Sequence, residues 1–221
     1  LRWRLYPLSR ICCASAPDGF VRLMNTFDAT PEIFMHRISN IMYRHFGIQE
    51  LFFLRFDDVL NPNSFKPTQE MHTAKLPFMH GSVNEHYCRR WVSLSILEDL
   101  GRLQAAYQWD GAALCQAQIA DFVDTSNRYL LISLARDSPP GHGYNSSLTP
   151  GFALNDRLKT LVGFLDDPAL MRKEVNETCE RCRLHDCAER SWAPVIWQRM
   201  QRNKALKQFI PSLRTAYSDK R

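Results

Sequence analysis

The chain has 221 residues, 45% hydrophobic and 23% charged, a composition that buries a core and excludes disordered or fibrous classes. Its formal charge of +5 is mild, and no stretch approaches the ~18 to 20 consecutive apolar residues that span a bilayer. Seven cysteines, an odd number and clustered, argue against a secreted disulfide framework and for reduced, cytoplasmic thiols.

Leu1-Arg2-Trp3-Arg4 followed by Cys12-Cys13-Ala14-Ser15-Ala16 imitates a signal peptide, but Arg10 breaks the apolar segment. A chain starting at Leu1 reads instead as part of something longer. Residues 1–27 show no clear period and are left unassigned. Thr30-Pro31 then supplies an N-cap and an N1 proline. Phe34, Ile38, Ile41 and Met42 predict an amphipathic helix that Gly47 ends. Leu51 to Phe56 is short and almost wholly apolar, which predicts a buried central strand. A turn over Asp57 to Asn63 and a returning strand from Phe65 to Lys75 follow.

Pro77 to Val83 reads as a loop. Asn84 can cap a helix running from about Glu85 to Leu103, with Cys88 one turn in and Tyr87, Trp91, Leu94 and Leu97 on one face. Ala113–Val123 and Tyr129–Arg136 predict a β-hairpin. A long polar loop is expected from Asp137 to about Pro150, then a helix carrying Leu154, Leu158, Leu161, Val162 and Leu165. Pro194 can start a last helix with Ile196, Trp197, Met200, Leu206 and Phe209. The pattern predicts an α+β fold: an antiparallel sheet with flanking helices, on the plan of GAF- and PAS-like sensor domains, with a C-terminal cysteine-rich appendix and helix. The expected division is 1–27 unassigned, 28–170 sensor domain, and 171–221 cysteine-rich segment with a basic helix.

The densest chemistry lies at Cys179, Cys182 and Cys187, spaced C-x2-C-x4-C with His185 between the last two. Thiolates so crowded repel one another unless a metal or cluster accepts their charge. A Cys3His zinc site with His185 is one reading. Its difficulty is reach, because His185 and Cys187 are two residues apart. An iron–sulfur cluster, of the 4Fe–4S kind, held by the three cysteines and a distant fourth ligand is another. Cys88 is the candidate fourth ligand, with Arg89 and Arg90 offsetting the charge, although a cysteine there also serves as a small buried hydrophobe. A redox switch without metal is the third. Arg89 and Arg90 are also candidate anchors for the phosphates of a ligand. His72, His80 and His86 with Glu70 and Glu85 lack the spacing of a zinc protease, and no motif demands an enzyme.

Cys179-Glu180-Arg181-Cys182-Arg183-Leu184-His185-Asp186-Cys187-Ala188-Glu189-Arg190 resembles the C-terminal signature of bacterial short-chain fatty-acyl-responsive regulators of the helix-turn-helix, XRE-type class, with Asp before the third cysteine and Arg three after it. The stretches Asn84–Trp91 and Phe46–Phe56 resemble them too. The resemblance covers the region from Pro31 to Pro194. It implies a non-enzymatic, cytoplasmic sensor domain that binds an acyl-coenzyme A or similar metabolite and holds an iron–sulfur cluster. It further implies that DNA is met only through a helix-turn-helix upstream of Leu1, and it is compatible with a homodimer. A structural-zinc module whose basic tail touches nucleic acid is the rival reading.

Overall fold

The computed structural model describes residues 16–58, 65–73, 85–123, 125–137 and 143–218. The expected turn from Asp57 falls largely outside them, as do the Pro77–Val83 loop, Asn84 and His80. The described residues form two compact units, one taking in 16–73 and 89–175, the other 85–88 and 176–218.

The first unit is α+β: a six-stranded, mostly antiparallel open sheet in the order β2-β1-β5-β4-β3-β6. Its elements are α1 (Ala16–Thr26), α2 (Pro31–Phe46), β1 (Leu51–Asp58), β2 (Phe65–His72), α3 (Val92–Ala105), β3 (Leu114–Phe122), β4 (Arg128–Asp137), β5 (Asn145–Ala153), α4 (Asp156–Leu161) and β6 (Met171–Val175). Helix α5 (Val195–Ser218) belongs to the second unit. Only the β3–β6 pair is parallel. No helix among the described residues is long and apolar enough to cross a membrane.

Helix α2 follows the sequence signals. Thr30 accepts the Ile33 N–H at 3.4 Å, Pro31 opens the helix, and Gly47 closes it at φ 66 in the left-handed region. Strand β1 is buried except at the half-buried Arg55 and Asp58, as its apolar run from Leu51 to Leu54 predicts. Leu51 and Phe53 join the core with Phe20, Phe34, Met35, Leu130, Leu134, Leu148 and Phe152. Phe52, one residue out of phase, meets Trp91 and Tyr129 at 6.1 and 5.4 Å between ring centroids. Phe20, Ile38, Met42, Ile132, Val162 and Phe164 line a small cavity with no polar wall.

Three expectations are corrected. The helix forecast from Glu85 begins only at Val92, since residues 86–88 pair as extended chain with 177–179. Trp91 is the N-cap but does not cap the helix with its side chain; the buried amide of Gln118 accepts the Val92 N–H at 3.0 Å and donates to the Arg90 carbonyl at 2.8 Å. The polar loop forecast to Pro150 gives way at Asn145 to β5, a nearly fully buried strand between β1 and β4. The Leu154–Leu165 helix is a single short stretch ending at Leu161, capped by Asn155 on the Leu158 N–H at 2.9 Å.

Strand β5 tolerates its polar residues because each finds a partner. Ser147 donates to the Ser93 carbonyl at 2.6 Å, the Ser133 and Thr149 hydroxyls meet at 2.8 Å, and Ser146 donates to Asp57 at 2.7 Å. Pro150 has no N–H to give. The β4–β5 register holds on either side while Ile132 and Ser133 fall outside the ladder.

Candidate metal centre

The second unit is organised around an extended pair formed by two distant segments. Tyr87 and Thr178 face each other in an antiparallel bridge; the Cys88 N–H donates to the Glu177 carbonyl at 3.2 Å, and the Cys179 N–H to the His86 carbonyl at 2.8 Å. Alternation along such a pair puts His86, Cys88, Glu177 and Cys179 on one side and Tyr87 and Thr178 on the other. Cys88 is therefore not one turn into a helix. It lies on a short strand-like segment, diagonal to Cys179.

Charged groups lock the two segments together. Glu85 accepts two bonds from the Arg181 guanidinium, at 2.8 and 2.7 Å, and one from the Thr178 hydroxyl at 2.7 Å. This pairing raises the Arg181 pKa. Glu180 is almost wholly buried, and both its oxygens accept the His86 main-chain N–H, at 3.1 and 3.0 Å. The His86 ring nitrogen Nδ1 lies 2.7 Å from the same carboxylate, and the ring stacks on Trp192 at 4.4 Å. The Glu180 carbonyl accepts the N–H groups of Ile196 and Trp197, at 3.0 and 2.9 Å, where α5 starts. A buried carboxylate held this way is costly to leave unpaired.

The cysteine loop is folded around Arg190. Its guanidinium donates to the carbonyls of Cys179 (2.8 Å), Cys182 (3.3 Å), Trp192 (3.3 Å) and Leu184. Four acceptors on one planar cation fix the path of residues 179–192 better than a point charge would. The Cys182 N–H reaches the Cys179 carbonyl at 3.3 Å, and the Arg190 N–H the Cys187 carbonyl at 3.2 Å, closing a turn at each end. Cys179 Sγ lies 3.5 Å from the Ser191 hydroxyl.

The thiols of Cys179, Cys182 and Cys187 are not joined by disulfides. Cys88, Cys179 and Cys182 are buried and Cys187 is half-buried. Burial pushes the Cys182 thiol up from its usual range; a backbone bond at Leu184 and the charge of Arg190 draw it down, and Cys187 and Cys179 push it further up. Among the described residues, however, no three His, Cys, Asp or Glu side chains are arranged to hold a metal ion. His185 is exposed, edge-on to the Trp197 ring at 5.2 Å.

Arg89 and Arg90 lie in the first unit, just before α3. Arg89 donates to Glu98 at 3.1 Å and stacks over the Phe65 ring at 4.4 Å. His72 lies 2.7 Å from Glu70. Sequence reasoning singled out the three clustered cysteines and Cys88, weighed His86 and Glu85 only against the spacing of a zinc protease, and gave no role to Glu180 or Trp192. Arg190 carried a signal, its place three residues after the last cysteine. Nothing local marks Glu180, whose partner is 94 residues away.

Scans of family models, curated proteins and solved structures return no match to this chain.

Proposed function

We propose that the chain is the sensing part of a bacterial transcriptional regulator, in which Cys88, Cys179, Cys182 and Cys187 would hold an iron–sulfur cluster. The observation that carries the reading is the extended pair that puts Cys88 diagonal to Cys179 at the edge of a loop clamped by Arg190. The donor set fits the group in kind: four thiols in one unit, three of them within nine residues of the chain. Sulfurs that are neutral when buried lose their protons readily only to a cation, so loading would draw them together and release protons. A bound cluster supplies an oxygen- and redox-sensitive anchor. The chain's own residues do the rest: Arg190 holds the loop, Glu180 ties it to His86 and to the start of α5, and Glu85 with Arg181 fixes the entry strand.

The strand order and the helices flanking the sheet are consistent with a sensor domain of the GAF or PAS kind. The apolar cavity beside α1 and α2 is where the acyl part of a metabolite would enter, by displacing the side chains that line it. DNA would be met through a segment upstream of Leu1.

Anaerobic purification followed by iron, sulfide and zinc determination tests the proposal. About four irons and four sulfides per chain are expected, with both lost in Cys187→Ala. About one zinc and no sulfide would replace the cluster by a structural zinc site. A wild-type chain with neither metal nor sulfide would overturn the metal reading.

A further inference from the structure

Cys179 and Cys182 are held side by side by the backbone around them. The Cys182 N–H donates to the Cys179 carbonyl at 3.3 Å, closing a turn over 179–182. A turn of that kind brings its first and last Cα atoms within about 7 Å, the span a disulfide bridges. Arg190 reinforces the pairing from outside the turn, donating to the carbonyls of both residues at 2.8 and 3.3 Å. Both residues are 5% exposed, so neither side chain swings in solvent. The other cysteines of this unit are placed less well. The bridge at Tyr87 and Thr178 sets Cys88 directly opposite Glu177, and Cys179 directly opposite His86. Cys88 and Cys179 are therefore diagonal, about 7–8 Å apart between Cα atoms, beyond the usual disulfide span. Cys187 starts a separate turn, closed by the Arg190 N–H on its carbonyl.

We propose that Cys179 and Cys182 form a reversible disulfide, a modification site within the cysteine loop that hydrogen peroxide closes and a dithiol reductant reopens. One sulfur, as thiolate, attacks the peroxide: an S–O bond forms, the O–O bond breaks, and the departing hydroxide takes a proton and leaves as water. The second sulfur then attacks the sulfenic acid: the S–S bond forms, the S–O bond breaks, and a second water leaves with the second thiol's proton. In sum two thiols give up two electrons and two protons, and one peroxide becomes two waters. The dithiol reverses this by exchange, becoming a disulfide itself. A sulfur held in the bridge cannot ligate a metal, so the oxidised loop is closed to one. That consequence rests on the cluster reading, whereas the disulfide itself does not.

The test uses the full chain, reduced and stripped of metal with a chelator, so its outcome does not depend on whether a cluster is ever bound. The chain is treated with hydrogen peroxide, blocked with N-ethylmaleimide and digested with trypsin without reduction. Cleavage after Lys173, Arg181, Arg183 and Arg190 puts Cys179, Cys182 and Cys187 on three different peptides. Mass spectrometry should find peptide 174–181 joined to 182–183 as the dominant product, two hydrogens lighter than their sum and lost on reduction. Formation should be roughly tenfold slower in Arg190→Gln, which frees both carbonyls, and in the wild-type chain unfolded in urea, where proximity along the sequence alone remains. A dominant bridge from Cys187 or Cys88 would overturn the proposal, as would sulfinic and sulfonic acids without any bridge. So would formation as fast in urea as in the folded chain, since the fold would then contribute nothing to the pairing.

Discussion

Gly151 sits opposite Phe52 on the β1–β5 ladder, and a Cβ placed on it would lie 2.2 Å from the Phe52 ring. The ring fills the space a side chain would need, and Phe52 itself is held by Trp91 and Tyr129. Gly151→Ala is therefore expected to lower stability by about 1–3 kcal/mol, the usual cost of overpacking; urea unfolding of the variant with an unchanged slope would measure it. Tyr129, in the same cluster, has its phenol pushed up from 10.0 to about 12, by burial first and then by the charge of Glu50. Below pH 10 the folded and unfolded chains both keep the proton. Between 10 and 12 only the folded chain does, so stability is full below pH 10 and falls as pH rises to about 12, by up to about 3 kcal/mol. Tyr129→Phe should remove that alkaline component from a stability–pH series; a series identical to wild type would show that Tyr129 does not contribute.

At the scale of elements, legibility follows how local the determinants are. Helix α2 could be read because its cap, its N1 proline and its terminating glycine are all its own. The hairpin β3–β4 was read from β-branched and leucine content. Strand β5 was not, since Ser146, Ser147, Thr149, Pro150 and Gly151 look like loop until their partners are known, and those partners lie 16 to 89 residues away. The start of α3 was misread for the same reason: its capping amide is Gln118, and residues 86–88 are claimed by 177–179. The cysteine spacing was legible, whereas the Glu180–His86 tie was not. A double-mutant cycle tests the β5 argument. Thr149→Val should leave the buried Ser133 hydroxyl without its partner and cost about 1–3 kcal/mol. Adding Ser133→Ala should recover much of that loss, because removing both polar groups leaves none unsatisfied. If the double variant is as unstable as the sum of the singles, the hydroxyl pair is not what makes the polar strand viable.

For the whole molecule, the two units rest on different physics. Every residue of the main hydrophobic core belongs to the sheet-containing unit. The buried side chains among residues 85–88 and 176–218 are instead Cys88, Asn176, Thr178, Cys179, Glu180 and Cys182, thiols and polar groups whose burial contributes little hydrophobic stabilisation. A unit so short, with so few buried apolar side chains, is expected to depend on a staple. Metal binding to the folded state alone would supply one, with a stabilisation that grows with affinity. Removing the metal from the loaded protein with a chelator should thus act selectively. The amides of Cys88, Cys179, Cys182 and Arg190, each bonded to a carbonyl of the same unit, should lose at least tenfold protection from hydrogen exchange. Those of β1, β4 and β5 should keep theirs, because the core that protects them contains none of the four proposed metal-binding cysteines. Arg190→Gln, which removes the cation from its four carbonyls, should produce the same local loss before any chelator is added. Uniform loss across both units would mean that the sheet also depends on the metal, and no change in either would mean that hydrogen bonds alone hold the cysteine loop.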